Sequence, residues 1–128
     1  MRGPDDEAPV TALGHHLLVE FTGCDAASLA DLDRVTSAML QAAEASGATV
    51  VTHSFHHFSP HGVSGAVIIA ESHLAIHTWP EHGFAAVDFF SCGPVDMGRG
   101  LTVLKAAFGA TGETRLELER GPLRKVNS

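Results

Sequence analysis

Four strand-like runs lie between Ala48 and Cys92 with only short turns between them, and this constrains the fold more than any other feature. Ala48 to Phe58 is rich in Val, Thr and Phe, and Gly65 to Ala70 is a continuous apolar run. His73 to Trp79 alternates, with Leu74 and Ile76 on one face and His73, Ala75, His77 and Trp79 on the other. Pro80 to Gly83 reads as a turn, and Phe84 to Cys92 as a further strand. Connections this short cannot hold a crossover, so the runs must form an antiparallel meander.

The flanks add one strand and one helix on each side. His15 to Phe21 is β-prone and stops at Thr22-Gly23-Cys24-Asp25. Ser28, with Asp31 three residues on, predicts a capping-box start to a helix. Leu29, Leu32, Thr36, Met39, Leu40 and Ala43 recur at helical spacing, and Gly47 supplies the stop. A weaker helix is expected from Asp96 to Phe108, interrupted by Gly98 and Gly100, and a last strand from Arg115 to Glu119. The order β-α-β-β-β-β-α-β leaves too few helices to cover both faces. The expected fold class is α+β, a two-layer sandwich with an antiparallel sheet and two helices on one face. Its open face would carry His73, His77 and Trp79, and a two-fold partner is the commonest cover for such a face in a small domain.

At 128 residues the chain reads as a single domain over residues 14–121, with polar tails expected at 1–13 and 122–128. Hydrophobic content of 45% against 18% charged residues points to a folded globule. No run approaches the ~20 apolar residues of a membrane span, and the N-terminus lacks a signal-peptide core. A cytoplasmic protein with no membrane partner is expected. The formal net charge of -7, with few and scattered Lys and Arg, argues against nucleic acid as a partner and suits a cationic substrate. Cys24 and Cys92 are expected to be free thiols.

The chemistry is concentrated in Glu71-Ser72-His73-Leu74-Ala75-Ile76-His77-Thr78-Trp79-Pro80-Glu81. A Glu-Ser pair after a buried strand is usually a polar turn, a lone Cys in an apolar strand a small hydrophobe, and Phe58 on its own ordinary core. Co-occurrence changes that balance. Here a hydroxyl follows an acyl group, with an imidazole, an aromatic plate, a carboxylate and a thiol close by in sequence.

This string resembles the self-processing site of the small prokaryotic S-adenosylmethionine decarboxylases. The likeness runs from about His15 to Arg120 and is also dense in Ser46 to Thr52, Gly62 to Gly65 and Asp88 to Gly93. It implies cleavage between Glu71 and Ser72, with Ser72 becoming a covalent pyruvoyl group that forms a Schiff base with the substrate. It implies Ser64, expected on the loop before its strand, and His77 in processing, His77 as the base, and Cys92 as catalytic proton donor. Phe58 and Trp79 are implied around the nucleoside and sulfonium, where aromatic faces suit a cation, and Glu81 at the ribose. The activity implied is decarboxylation of S-adenosylmethionine for polyamine and spermidine synthesis. A dimer of processed protomers with interfacial active sites and no metal is also implied. The chain departs from the family pattern around the Phe58–His61 loop, at His57, Ser59 and His61, and again at His82, which bears on substrate choice.

Three other readings stand beside it. Relatives on this scaffold act on arginine or ornithine. A non-enzymatic, unprocessed dimer would keep one intact chain. A histidine-rich metal module would draw on His53, His56, His57 and His61 with Cys92, but strand alternation puts His56 opposite His53 and His57.

Overall fold

The structure, a computed structural model, describes residues 11–123. Six strands form one antiparallel sheet: β1 Thr11–Thr22, β2 Val50–His57, β3 Val63–Ile69, β4 Ser72–Trp79, β5 Phe84–Ser91 and β6 Gly112–Leu123. Their order is β2-β3-β4-β5-β1-β6. The meander occupies four consecutive places, as its short turns require, and β1 inserts between β5 and β6.

Helices α1 Ala26–Ala30, α2 Leu32–Ala45 and α3 Met97–Phe108 cover one face, giving the expected two-layer α+β sandwich. Three helices stand where two were expected, because the predicted first helix is divided. Asp25, not Ser28, caps α1, its carboxylate accepting from the Ser28 N–H at 3.0 Å and the Ser28 hydroxyl at 2.7 Å. Asp31 then stops α1 and caps α2, accepting from the N–H groups of Asp33 and Arg34. Two acidic residues six apart each collect free N–H donors, and the chain turns between them.

Gly98 and Gly100 do not interrupt α3. A Cβ on Gly100 would lie 2.9 Å from the Ala42 carbonyl oxygen, so this glycine is where α3 crosses α2 in close contact. Leu74 and Ile76 are fully buried as expected, with Phe21, Leu29, Met39, Phe89, Leu101, Leu104 and Phe108 in the same core.

The outer strands are longer than their sequence pattern suggests. β1 and β6 pair from Thr11↔Leu123 to Thr22↔Gly112, so Thr11 to Leu13 and Pro122 to Leu123 are strand instead of tail. The rest of the expected tails, 1–10 and 124–128, lies outside the described residues. Backbone pairing, not apolar alternation, sets the length of these strands.

Register lines up the open face in rows. One runs Thr52, Ile68, His73, Phe90, His16, Leu118 across all six strands. Another runs His56, Ser64, His77, Ala86, Glu20, Thr114. The two rows lie four residues apart on β4, about 13 Å at 3.3 Å per residue.

Candidate active site

The expected site residues fall into two groups at opposite ends of β4. At its start, β3 and β4 close a hairpin in which Ile69 pairs with Ser72 and only Ala70 and Glu71 make the turn. Glu71 has φ 61, the left-handed region. A residue with a Cβ is held there at a cost of about 1–2 kcal/mol. Tight hairpins demand positive φ and normally recruit Gly or Asn, so the strain falls on the Glu71-Ser72 junction. Ser72 is the next residue. Its hydroxyl oxygen accepts the Cys92 N–H at 3.2 Å, across from the end of β5. Cys92 is exposed and Cys24 half-buried, and both are free thiols. Burial pushes the Cys24 thiol up, which leaves it a poor nucleophile.

At the other end of β4, Ser64 Oγ lies 2.8 Å from His77 Nδ1. The sequence pattern expected Ser64 on a loop. It is instead the second residue of β3, paired with His77, because the strand begins at Val63. A cavity of about 320 Å³ opens beside this pair, lined by Phe58, Pro60, His61, Gly62, Ser64, His77, Thr78, Trp79 and Glu81. Phe58 is 51% exposed and Trp79 40% exposed, so neither is core. Trp79 is braced by Phe84 at 5.3 Å between ring centroids, and Phe58 by His56 at 4.5 Å.

Two residues that the sequence pattern did not single out build the cavity. Thr78 occupies a core-facing position on β4, where its buried hydroxyl accepts from the Val63 N–H at 2.8 Å and donates to the Leu29 carbonyl at 2.9 Å. It ties the start of β3 and α1 to the strand carrying His77 and Trp79. The available signal was a hydroxyl in the apolar phase of an alternating strand. Gly62, at φ 84, presses its Cα so close to Thr78 that a Cβ would lie 2.8 Å from the Thr78 carbonyl oxygen. The loop from Phe58 is closed by a hydrogen bond from the Phe58 N–H to the Gly62 carbonyl at 2.9 Å.

One chain does not bring the two groups together. Ser72 and His77 are five residues apart on one extended strand, about 16 Å, and alternation gives them opposite sides. Nor do the histidines converge. His53 and His57 pair with Val67 and Val63 on the helix side while His56 pairs with Ser64. Among the described residues no three His, Cys, Asp or Glu side chains come together as a metal site would need. Among the described residues no helix is long and apolar enough to cross a membrane.

An open cleft with aromatic plates, a carboxylate and a hydrogen-bonded Ser–His pair is the kind of site that an enzyme of small molecules presents. Comparison narrows this. The sequence model of the S-adenosylmethionine decarboxylase family matches residues 15–121. The S-adenosylmethionine decarboxylase proenzyme of Acidithiobacillus ferrooxidans is 56% identical over 111 residues, 86% of this chain and 84% of that protein. The one from Thermotoga maritima is 50% identical over 111 residues, 86% of this chain and 85% of its own length. The crystal structure of the adenosylmethionine decarboxylase from Aquifex aeolicus superposes with a TM-score of 0.83 at 29% identity, covering 92% of this chain and 98% of that one. The chain belongs to the S-adenosylmethionine decarboxylase family.

Proposed function

We propose that the chain is a proenzyme that cuts itself between Glu71 and Ser72 and then decarboxylates S-adenosylmethionine to S-adenosyl 3-(methylthio)propylamine for polyamine synthesis. The observation that carries this reading is the Ser72 hydroxyl, held by the Cys92 N–H immediately after a residue in left-handed strain.

Ser72 Oγ attacks the Glu71 carbonyl carbon, the peptide nitrogen leaves as an amine, and an ester joins the two halves. Strain of about 1–3 kcal/mol at Glu71 raises the amide ground state, worth one to two powers of ten. Proton transfer by a Ser64–His77 pair contributes about a hundredfold or more. Loss of the Ser72 α-proton to His77 then expels the Glu71 carboxylate by β-elimination. Hydrolysis of the resulting dehydroalanine releases ammonia and leaves a pyruvoyl group at the new N-terminus. The residues present fit this group: its precursor serine stands at a strained turn, beside an exposed thiol. When formed, the pyruvoyl carbonyl binds the substrate amine and withdraws the electrons freed as carbon dioxide departs.

The chain's own side chains do the rest. Cys92 carries the proton that replaces the lost carboxylate. Phe58 and Trp79 flank the nucleoside and sulfonium with π-faces that suit a cation, and Glu81 accepts from ribose hydroxyls. Because His77 cannot reach Ser72 within one chain, the reading requires two copies. Two copies packed by their open faces about a two-fold axis would set the end of β4 that carries Ser72, with Cys92 beside it, against His77 of the partner subunit. Exposed Ile68, Leu116 and Leu118 on that face support such packing. Free thiols and the absence of any membrane-crossing helix among the described residues agree with action in the cytoplasm.

Three measurements test this. Intact mass should give fragments 1–71 and 72–128, the latter with a carbonyl-reactive terminus; Ser72→Ala should stay whole. Carbon dioxide should be released from S-adenosylmethionine and not from arginine or ornithine. Then Ser72→Ala and His77→Ala chains, each inactive alone, should regain about a quarter of full activity when co-expressed. Half of the dimers are then mixed, and each mixed dimer holds one complete site. An uncut yet active chain would sink the reading, and a failure of co-expression to rescue would return His77 to its own chain.

A further inference from the structure

We infer that Thr78 is a positioning residue for both self-cleavage and substrate binding, its buried hydroxyl fixing the Ser64–His77 pair and the wall of the cavity beside it. The inference rests on the function proposed above, which gives that pair the proton transfer and that cavity the nucleoside.

Thr78 stands in the phase of β4 that faces the helices, after Leu74 and Ile76, and is 6% exposed. Valine has nearly the same shape and would fill this place without burying a hydroxyl, which is costly to take from water unless it is bonded. The hydroxyl answers two main-chain groups that their own elements do not serve. In a continuous helix the Leu29 carbonyl would accept from the Asp33 N–H, but that N–H goes to the Asp31 carboxylate where α1 gives way to α2. In the β3–β4 ladder Val63 would stand opposite Thr78, yet main-chain pairing ends at Ser64↔His77, and Gly62 at φ 84 turns the chain away. Thr78 Oγ1 closes both gaps, accepting from the Val63 N–H at 2.8 Å and donating to the Leu29 carbonyl at 2.9 Å.

Each partner of Thr78 adjoins the site. Val63 precedes Ser64, and Thr78 lies between His77 and Trp79. The Val63–Thr78 bond on the helix side and the Ser64–His77 contact of 2.8 Å on the open side clamp the same two strand ends from both faces. The Phe58–Gly62 loop joins β3 at this point, with Gly62 against the Thr78 carbonyl. Helix α1 packs on the Pro80–His82 turn that carries Glu81. Ser64, His77, Phe58, Trp79 and Glu81 therefore share one anchor. Ser72 and Cys92 meet at the other end of β4, away from it. Without the hydroxyl, Ser64 becomes the last held residue of β3 against β4. A displacement of about 1 Å in such a pair costs up to about a hundredfold in rate.

The test compares Thr78→Val, which keeps the shape and loses both bonds, with Thr78→Ser, which keeps both bonds. Thr78→Val should slow self-cleavage about tenfold or more. In its cleaved fraction, counted by intact mass, KM for S-adenosylmethionine should rise at least about threefold while kcat per cut chain changes less than about twofold. Thr78→Ser should stay within about threefold of wild type in cleavage and keep its KM. Partial unfolding alone would remove active molecules, lowering kcat and leaving KM where it was. That outcome overturns the inference, as does a Thr78→Val chain that cleaves and binds like Thr78→Ser. If Thr78→Val does not accumulate as folded protein, Thr78→Cys takes its place. Its thiol is close in size but a weak hydrogen-bonding group, so both changes should appear in smaller measure, and wild-type behaviour there is equally fatal. A wild-type chain that neither cleaves nor releases carbon dioxide refutes the proposed function first and takes this inference with it.

Discussion

Glu71 shows how one residue's backbone can carry chemistry that its side chain does not. Its carboxylate is exposed at the tip of a hairpin, but its φ of 61 is what a glycine would supply without strain. The carbonyl to be attacked belongs to the main chain, so Glu71→Gly leaves every reacting atom in place and removes only the strain. This substitution should raise stability by about 1 kcal/mol while slowing self-cleavage about tenfold. Denaturant midpoints on a Ser72→Ala background and the cleavage time course measure the two effects separately. An unchanged cleavage rate would remove strain from the account.

At the scale of elements, both acid-base behaviour and close packing are set by small residues at helix ends and crossings. The Ser28 hydroxyl, and then the Ser28 N–H, hold the Asp25 carboxyl below the usual carboxylate range. A carboxyl depressed in the folded state contributes stability above its unfolded value and loses it as pH falls through the folded one. Asp25→Asn should therefore lower the melting temperature at neutral pH and flatten its decline on acidification, as thermal scans through the acid range would record. A parallel decline in wild type and variant would count against the cap. Gly100→Ala tests the helix crossing. The added methyl would meet the Ala42 carbonyl, and Phe89 at 3.2 Å, inside a filled core. The gain in helix propensity should be outweighed, for a net loss of about 1–2 kcal/mol by chemical denaturation. A net gain would mean that the helices can part without loss.

For the whole molecule the question is what covers the open sheet face. Its central row places His16 between Phe90 and Leu118. His16 Nε2 is buried without a hydrogen-bond partner among the described residues, and Asp88 Oδ1 lies 3.9 Å away. Around this polar centre Ile68, Leu116 and Leu118 are exposed. A large apolar residue left in water at the edge of such a face is what a second copy would bury. Leu116→Glu should convert a dimer to monomers in analytical ultracentrifugation. It should block self-cleavage with little effect on secondary structure, since Leu116 is 55% exposed in the single chain. A monomer that still cleaves would place the whole site within one chain.

What could be read in the letters was whatever depends on neighbours in sequence. Alternation and turn residues between Ala48 and Cys92 determined the meander, the burial of Leu74 and Ile76, and the grouping of Ser72, His77, Trp79 and Glu81 on one short segment. Other features depended on pairings distant in the chain. β6 lies beside β1 over residues 112 to 123, Thr78 reaches α1, Gly100 touches α2, and Ser64 meets His77 inside the sheet. Strand geometry also separates Ser72 from His77 by a distance that their spacing in sequence conceals, because an extended chain moves its side chains apart about twice as far per residue as a helix does. Local periodicity chose the elements. Hydrogen-bond register and packing decided which of their residues meet.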